Sequence, residues 1–233
     1  YVVVFGAANE LKTARSKQFL DKIGEPEIFF DVVEEPMGDQ GRFVNAEAFD
    51  MACDKIDAAI DELDFKSLVL DSATGLGQVA MNKSIQVTSG MAKSKANTAL
   101  HRLHAQNILI PGDQDWMGEM SLVSQIVDWC FRLPFHFCLT AHEYLEFDMD
   151  RGTHQKIVTQ RKPQFTGRNR DRMPAMFDNV WHMSMVGSGK AMQGQAKTTG
   201  DDITYAKTRM GGILPERVRD PNLAEIIEKF RAA

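Results

Sequence analysis

The order of apolar runs and helix-spaced segments predicts an α/β protein with a mostly parallel central sheet flanked by helices. Three observations carry that expectation. Tyr1-Val2-Val3-Val4-Phe5, Ser67-Leu68-Val69-Leu70 and Phe135-His136-Phe137-Cys138-Leu139-Thr140 are short, apolar and hardly alternating, as strands buried on both faces are. Ala46 to Leu63 places Phe49, Ala52, Cys53, Ile56, Ala59, Ile60 and Leu63 at helical spacing. Met117 to Leu133 repeats the pattern with Met120, Leu122, Val123, Ile126, Val127, Cys130 and Phe131.

The remaining elements follow in chain order. The first strand leads to a helix beginning at Lys12 and running to Leu20, then to a strand from Pro26 to Val33 that ends in Glu34-Glu35. A polar loop from Pro36 to Gly41 precedes the helix of Ala46 to Leu63. Residues 76–115 contain Met, Ser and Lys with weak periodicity and a Pro111-Gly112-Asp113 break, and are expected to be irregular. Beyond the strand ending at Ala141-His142-Glu143, residues 150–174 read as a basic loop or hairpin. Strands near Val180 to Val186 and Ile203 to Ala206, a loop over 187–200 and a helix from Asn222 to Phe230 complete the chain. The 233 residues, 43% hydrophobic and 25% charged, suit one large domain, 1–233.

Composition narrows the function classes. No apolar run approaches the ~20 residues that span a bilayer, so no membrane partner is expected. Cys53, Cys130 and Cys138 are odd in number and sit in apolar segments, which fits free thiols in a reducing, cytoplasmic compartment. The chain opens on a strand without Met, and is expected to have a trimmed terminus and no signal peptide. With a net charge of −5, any nucleic-acid contact must come from a local patch.

Gly6-Ala7-Ala8-Asn9-Glu10-Leu11-Lys12-Thr13 has the spacing of the phosphate-binding P-loop, with Leu11 where the second glycine stands. Backbone N–H groups of such a loop point at phosphate oxygens, its lysine reaches the terminal phosphates and its hydroxyl holds Mg²⁺. Gly6 through Ala14 are therefore the candidate nucleotide-binding residues. The bland alternative is a glycine that merely ends a strand. The third strand ends in Asp71-Ser72, an apolar run closed by a carboxylate that could hold magnesium, as in a Walker B strand. Thr13 and Asp71 are the candidate metal residues. His101 and His104 lack partners at ligand spacing, so no other metal is expected.

The stretch from Ser67 to Leu76 resembles the Walker B region of RecA-like ATPases, and Thr140-Ala141-His142-Glu143 resembles the T-x-H-E segment of phage-encoded RecA-like nucleotide-binding proteins. Gly167, Phe177-Asp178 and Ala206-Lys207-Thr208-Arg209 before Gly-Gly-Ile-Leu-Pro are similar in order and spacing. The likeness runs from Val2 to about Phe230 and includes single-strand-annealing recombination proteins. It implies a RecA-like P-loop fold that binds and hydrolyses ATP with Mg²⁺, forms a homo-oligomeric ring or filament and acts on single-stranded DNA in a host cytoplasm. It implies Glu34 as the group that polarises the attacking water, Glu35 being the alternative, and His142 as the sensor of the γ-phosphate. Lys207 and Arg209 would reach a neighbour's nucleotide in trans.

Arg151, Lys156, Arg161, Lys162, Arg168, Arg170 and Arg172 lie close together with Phe165 among them. Cations with an aromatic ring suit single-stranded DNA, whose phosphates need charge and whose bases stack. Arg161, Lys162, Phe165, Arg168 and Arg170 are the candidate DNA contacts, and an interface loop that supplies arginine to a neighbour is the rival. Lys83, Lys93, Lys95 and Arg102 form a second, weaker patch. Because Leu11 replaces a glycine, a non-hydrolysing scaffold stays open beside the ATPase, as does a DNA packaging or unwinding motor.

Overall fold

The structure is a computed structural model that describes residues 1–6, 28–38, 42–43, 46–91, 102–103, 108–109, 111–150, 152, 155–188 and 192–232. These divide into two compact units, Tyr1–His142 with Phe165–Asn169, and Glu143–Gln164 with Arg170–Ala233. A single domain over 1–233 was the expectation. The expected helix from Lys12 to Leu20 lies outside the described residues.

The first unit is built on four parallel strands: β1 (Val2–Phe5), β2 (Phe30–Val33), β5 (Ser67–Asp71) and β8 (His136–Leu139). Their order is β2-β1-β5-β8. Val4 lies opposite Val32 on one side and Asp71 on the other, and Leu70 lies opposite Leu139. Val3, Val4, Val33, Leu68 and Leu70 are all buried, which explains why these segments read as continuous apolar runs. Two short ladders, β3 (Met37–Gly38) with β4 (Arg42–Phe43) and β6 (Arg102–Leu103) with β7 (Ile108–Leu109), sit in the connections.

Helix α1 (Ala48–Glu62) packs on β2 and buries Phe49, Ala52, Ile56 and Ala59, the face expected from their spacing. Helices α2 (Ala73–Met91) and α3 (Asp113–Cys130) pack tightly together, and α2 also lies on β1 and β5. Much of the segment expected to be irregular, 76–115, is thus helical. The reason is that α2 is covered on two sides, so no clean polar stripe marks it. Leu76, Val79, Ala80, Met81 and Ile85 are all buried. Gly118 of α3 faces Ser84 of α2 so closely that a Cβ there would strike the hydroxyl.

In the second unit the basic segment is a β-hairpin, β9 (Glu143–Met149) with β10 (Lys156–Pro163), with a bulge between Val158 and Gln160. The short helix α4 (Asn169–Met176) follows the hairpin, its Asn169 counted in the first unit. Strand β11 (Asn179–Val180) pairs with β14 (Lys207–Thr208), while β12 (His182–Val186), β13 (Gln193–Lys197) and β15 (Arg217–Arg219) form an antiparallel sheet. Helix α5 (Leu223–Ala232) comes last. Two expectations change here. Residues 187–200 are not all loop, because β13 is paired on both sides, which overrides its Gly- and Gln-rich composition. Ile203 to Ala206 is reduced to one bridge, Thr204 beside Arg161.

Cys53, Cys130 and Cys138 are free thiols. Burial pushes Cys130 up to about 12 and, with help from Asp50, Asp54 and Asp57, Cys53 up to about 11.

Gly75 is a tight junction between helix and sheet. A Cβ on it would lie 2.6 Å from the Phe5 carbonyl oxygen and 2.7 Å from the Phe5 Cβ. The contact is with backbone, which cannot swing aside. Gly75→Ala is expected to destabilise the fold by ~1–3 kcal/mol, as overpacking does, despite alanine's better helix propensity. Urea unfolding checks this, and a gain in stability would show that α2 can slide along the sheet.

Candidate ligand site at the sheet switch point

The chain leaves β1 for β2 on one side, then crosses back to place β5 on the other. Such a reversal in an open parallel sheet opens a crevice beyond the carboxyl ends of the two strands, where ligands bind. Gly6 stands at the end of β1 with φ 138°, a left-handed value that suits glycine. Its N–H donates to the Val33 carbonyl at 3.2 Å, which ties the exit of β1 to the end of β2. Ala7 through Ala14, with Lys12 and Thr13, lie outside the described residues.

Asp71 ends β5, half-buried. Its Oδ1 accepts a hydrogen bond from the Thr140 hydroxyl, so the strand ends of β5 and β8 are joined through this carboxylate. Thr140 is fixed in turn by its backbone: its N–H donates to Leu70 O at 3.1 Å and its carbonyl accepts from Ala73 N at 2.7 Å. Ser72 Oγ accepts from Gly75 N at 3.4 Å, in the manner of an N-cap for α2. Asp71 also acts on Cys138, whose thiol is pushed up first by burial and then by that carboxylate.

The acidic pair after β2 separates into two roles. Glu34 is exposed at the strand end. Glu35 is occupied: its Oε2 accepts from the N–H groups of Glu47 and Ala48, each at 3.0 Å, and its Oε1 accepts from Asn82 Nδ2 at 3.0 Å. It caps α1, whose own N-cap residue Glu47 makes no side-chain cap, and its charge meets the positive end of the helix. As the alternative water-polarising group, Glu35 is corrected to a structural role. His142 is exposed, two residues past Thr140.

The candidates of the second unit are mostly engaged. Lys207 donates to the Ala175 carbonyl at 2.9 Å, near the end of α4. Its ammonium is pushed down by burial and by Arg209, against the pull of Asp178. Arg209 pairs with Asp178 at 2.6 Å, with both side chains well exposed, where such a pair contributes ~0–1 kcal/mol. Arg209 can therefore leave its partner cheaply.

Arg161 meets Glu143 at 3.1 Å, and His182 meets the same oxygen at 2.9 Å. Lys162 reaches Asp171 at 3.2 Å and Glu146 at 3.6 Å. Arg170 lies 3.6 Å from Glu146 and 3.7 Å from the centre of the Tyr144 ring. Among the DNA candidates, these three cations are thus already neutralised in place, and Arg168 is exposed. Phe165 is 9% exposed, so it is corrected from a base-stacking platform to a core residue.

Thr140, Gly75 and the cap made by Glu35 carry the geometry without having been singled out for these roles from sequence. The one signal for Thr140 was its position after an apolar run beside His142. Compared with protein-family models, curated proteins and solved structures, the chain matches none.

Glu35→Ala should remove the cap of α1 and cost ~0.5–2 kcal/mol of stability, while leaving any catalytic turnover intact. Parallel denaturation and activity assays check the pair of outcomes. Loss of turnover with unchanged stability would return Glu35 to the chemistry.

Proposed function

We propose that this chain is a RecA-like P-loop protein that binds ATP with Mg²⁺, hydrolyses it, and acts on single-stranded DNA as a homo-oligomer. The observation that carries the reading is the adjacency of Gly6 and the end of β5: Val4 pairs directly with Asp71, so the start of the phosphate-binding pattern lies beside the carboxylate. Lys12 would neutralise the terminal phosphates, and Thr13 with Asp71 would hold the metal. The donor set fits, since a carboxylate and a hydroxyl are hard oxygen ligands of the kind Mg²⁺ takes. When bound, the metal shields phosphate charge. Thr140 orients Asp71 through its hydroxyl. Glu34, exposed at the end of β2, would polarise the attacking water, and His142 would answer to the γ-phosphate. Arg209 is the better placed of the two trans candidates, because its ion pair with Asp178 is solvent-exposed.

A second reading, nucleotide binding without hydrolysis, has its own support. Glu35 is consumed as a cap, and Leu11 stands in place of glycine in the phosphate pattern. DNA binding has narrower support than the nucleotide site, with Arg168 the exposed cation of the candidate set.

Titration with ATP and Mg²⁺ separates these readings. Lys12→Ala should weaken ATP tenfold to a hundredfold, because charge-assisted hydrogen bonds contribute ~1.5–3 kcal/mol; unchanged affinity would remove the P-loop assignment. Asp71→Asn should bind ATP but stop phosphate release, since the amide keeps the shape and loses the charge. If wild type binds ATP and releases no phosphate with or without single-stranded DNA, the second reading stands. For DNA, Arg168→Ala should lower the salt slope of binding by about 0.7, the value for one single-strand phosphate contact. An unaltered slope would take Arg168 out of the interface.

A further inference from the structure

Glu119 is a carboxylic acid sealed inside the first unit. It sits in the middle of α3 with 2% of its surface exposed, and its Oε2 is buried with no hydrogen-bond partner. Its Oε1 lies so near α2 that a Cβ on Gly77 would be 3.1 Å away. Over it runs the segment Phe165–Asn169, whose Thr166 hydroxyl hydrogen-bonds the carboxyl. This strap is closely fitted to α3. Gly167 takes φ 51°, and a Cβ on it would be 2.7 Å from Met120 Sδ. Asn169 Nδ2 donates to the Met120 carbonyl at 2.9 Å, and Ser124 Oγ donates to Asn169 Oδ1 at 3.3 Å. Phe165 is buried at its start.

A bare carboxylate in such a place, with one oxygen unsatisfied and no cation beside it among the described residues, is costly. The charged residues of the neighbouring elements do not relieve it. Lys83, the one charged residue of α2, is paired with Asp50. Arg168, the one charged residue of the strap, is exposed. On α3 itself Asp115 accepts from the Gly112 N–H at 2.7 Å, Asp113 is exposed, and Asp128 lies nine residues further on. Glu119 can lower the cost in two ways: it can hold a proton, or the strap can lift and let water in.

We propose that Glu119 is a proton-operated latch, which fastens the 165–169 strap to α3 when protonated and loosens it when ionised. This does not rest on the nucleotide reading. Burial pushes the carboxyl up from 4.5 to about 7, with the Thr166 hydrogen bond opposing. The closed form therefore holds its proton more tightly than the open form. The latch is fully effective below about 4.5 and weakens as the pH rises to about 7, with no further change above that.

Hydrogen–deuterium exchange of peptides covering 165–169, corrected for the intrinsic rate at each pH, reads the opening directly. In wild type the opening constant should rise about tenfold per pH unit inside that window and then level off. Glu119→Gln and Glu119→Met cannot ionise and should show no such rise. A flat wild-type profile, or the same rise in Glu119→Met, overturns the proposal. Should both variants fail to fold, carbonyl ¹³C NMR of the wild-type protein decides: a Glu119 midpoint near 7 supports the latch, and one near 4.5 excludes it.

Discussion

Parallel pairing of β1 with β5 is the constraint on which the rest of the first unit depends. It sets Val2 against Val69 and Val4 against Asp71, and so brings the exit of the first strand to the carboxylate that closes the third. That pairing needs helix cover on the sheet, because strands this apolar cannot face water. Helix α2 supplies the cover directly beside the site, and Gly75 lets its first turn meet the backbone of Phe5. Substituting any side chain there would lift α2 away from the place where the strand ends must stay together.

Around this pairing, polar side chains do mechanical work at the strand ends. Thr140 ties β8 to the carboxylate of Asp71. Glu35 joins the end of β2 to the start of α1 and to Asn82 of α2. The carboxyl groups of this unit sit in different surroundings. Asp71 and Glu35, at strand ends, have hydrogen-bond donors. Glu119 has a single hydroxyl and a wall of helix, where burial pushes its carboxyl up.

The second unit shows why a run of basic residues is a poor guide to free positive charge. Arg161, Lys162 and Arg170 come together with Glu143, Glu146 and Asp171 once the hairpin and α4 form. In sequence the acids of β9 lie outside the basic stretch, so they were not weighed against it. The hairpin register, Lys162 opposite Tyr144 and Arg161 opposite Leu145, is what makes them neighbours.

The sequence alone was enough for the parallel α/β character, for the positions of β1, β5, β8, α1 and α3, and for the placement of Asp71 at a strand end. Each of these follows from local pattern: continuous apolar runs make doubly buried strands, and a 3.6-residue period makes a helix with one wet face. It was not enough for α2, whose two buried sides erase the period, nor for β13, which exists because β12 and β15 flank it. It could not tell Glu34 from Glu35, adjacent acids of which one meets a helix end and the other meets solvent. Nor could it reveal that Phe165 is buried or that Glu119 is sealed beneath a strap from 46 residues further along the chain. Those properties belong to contacts between distant segments, which only the tertiary structure decides.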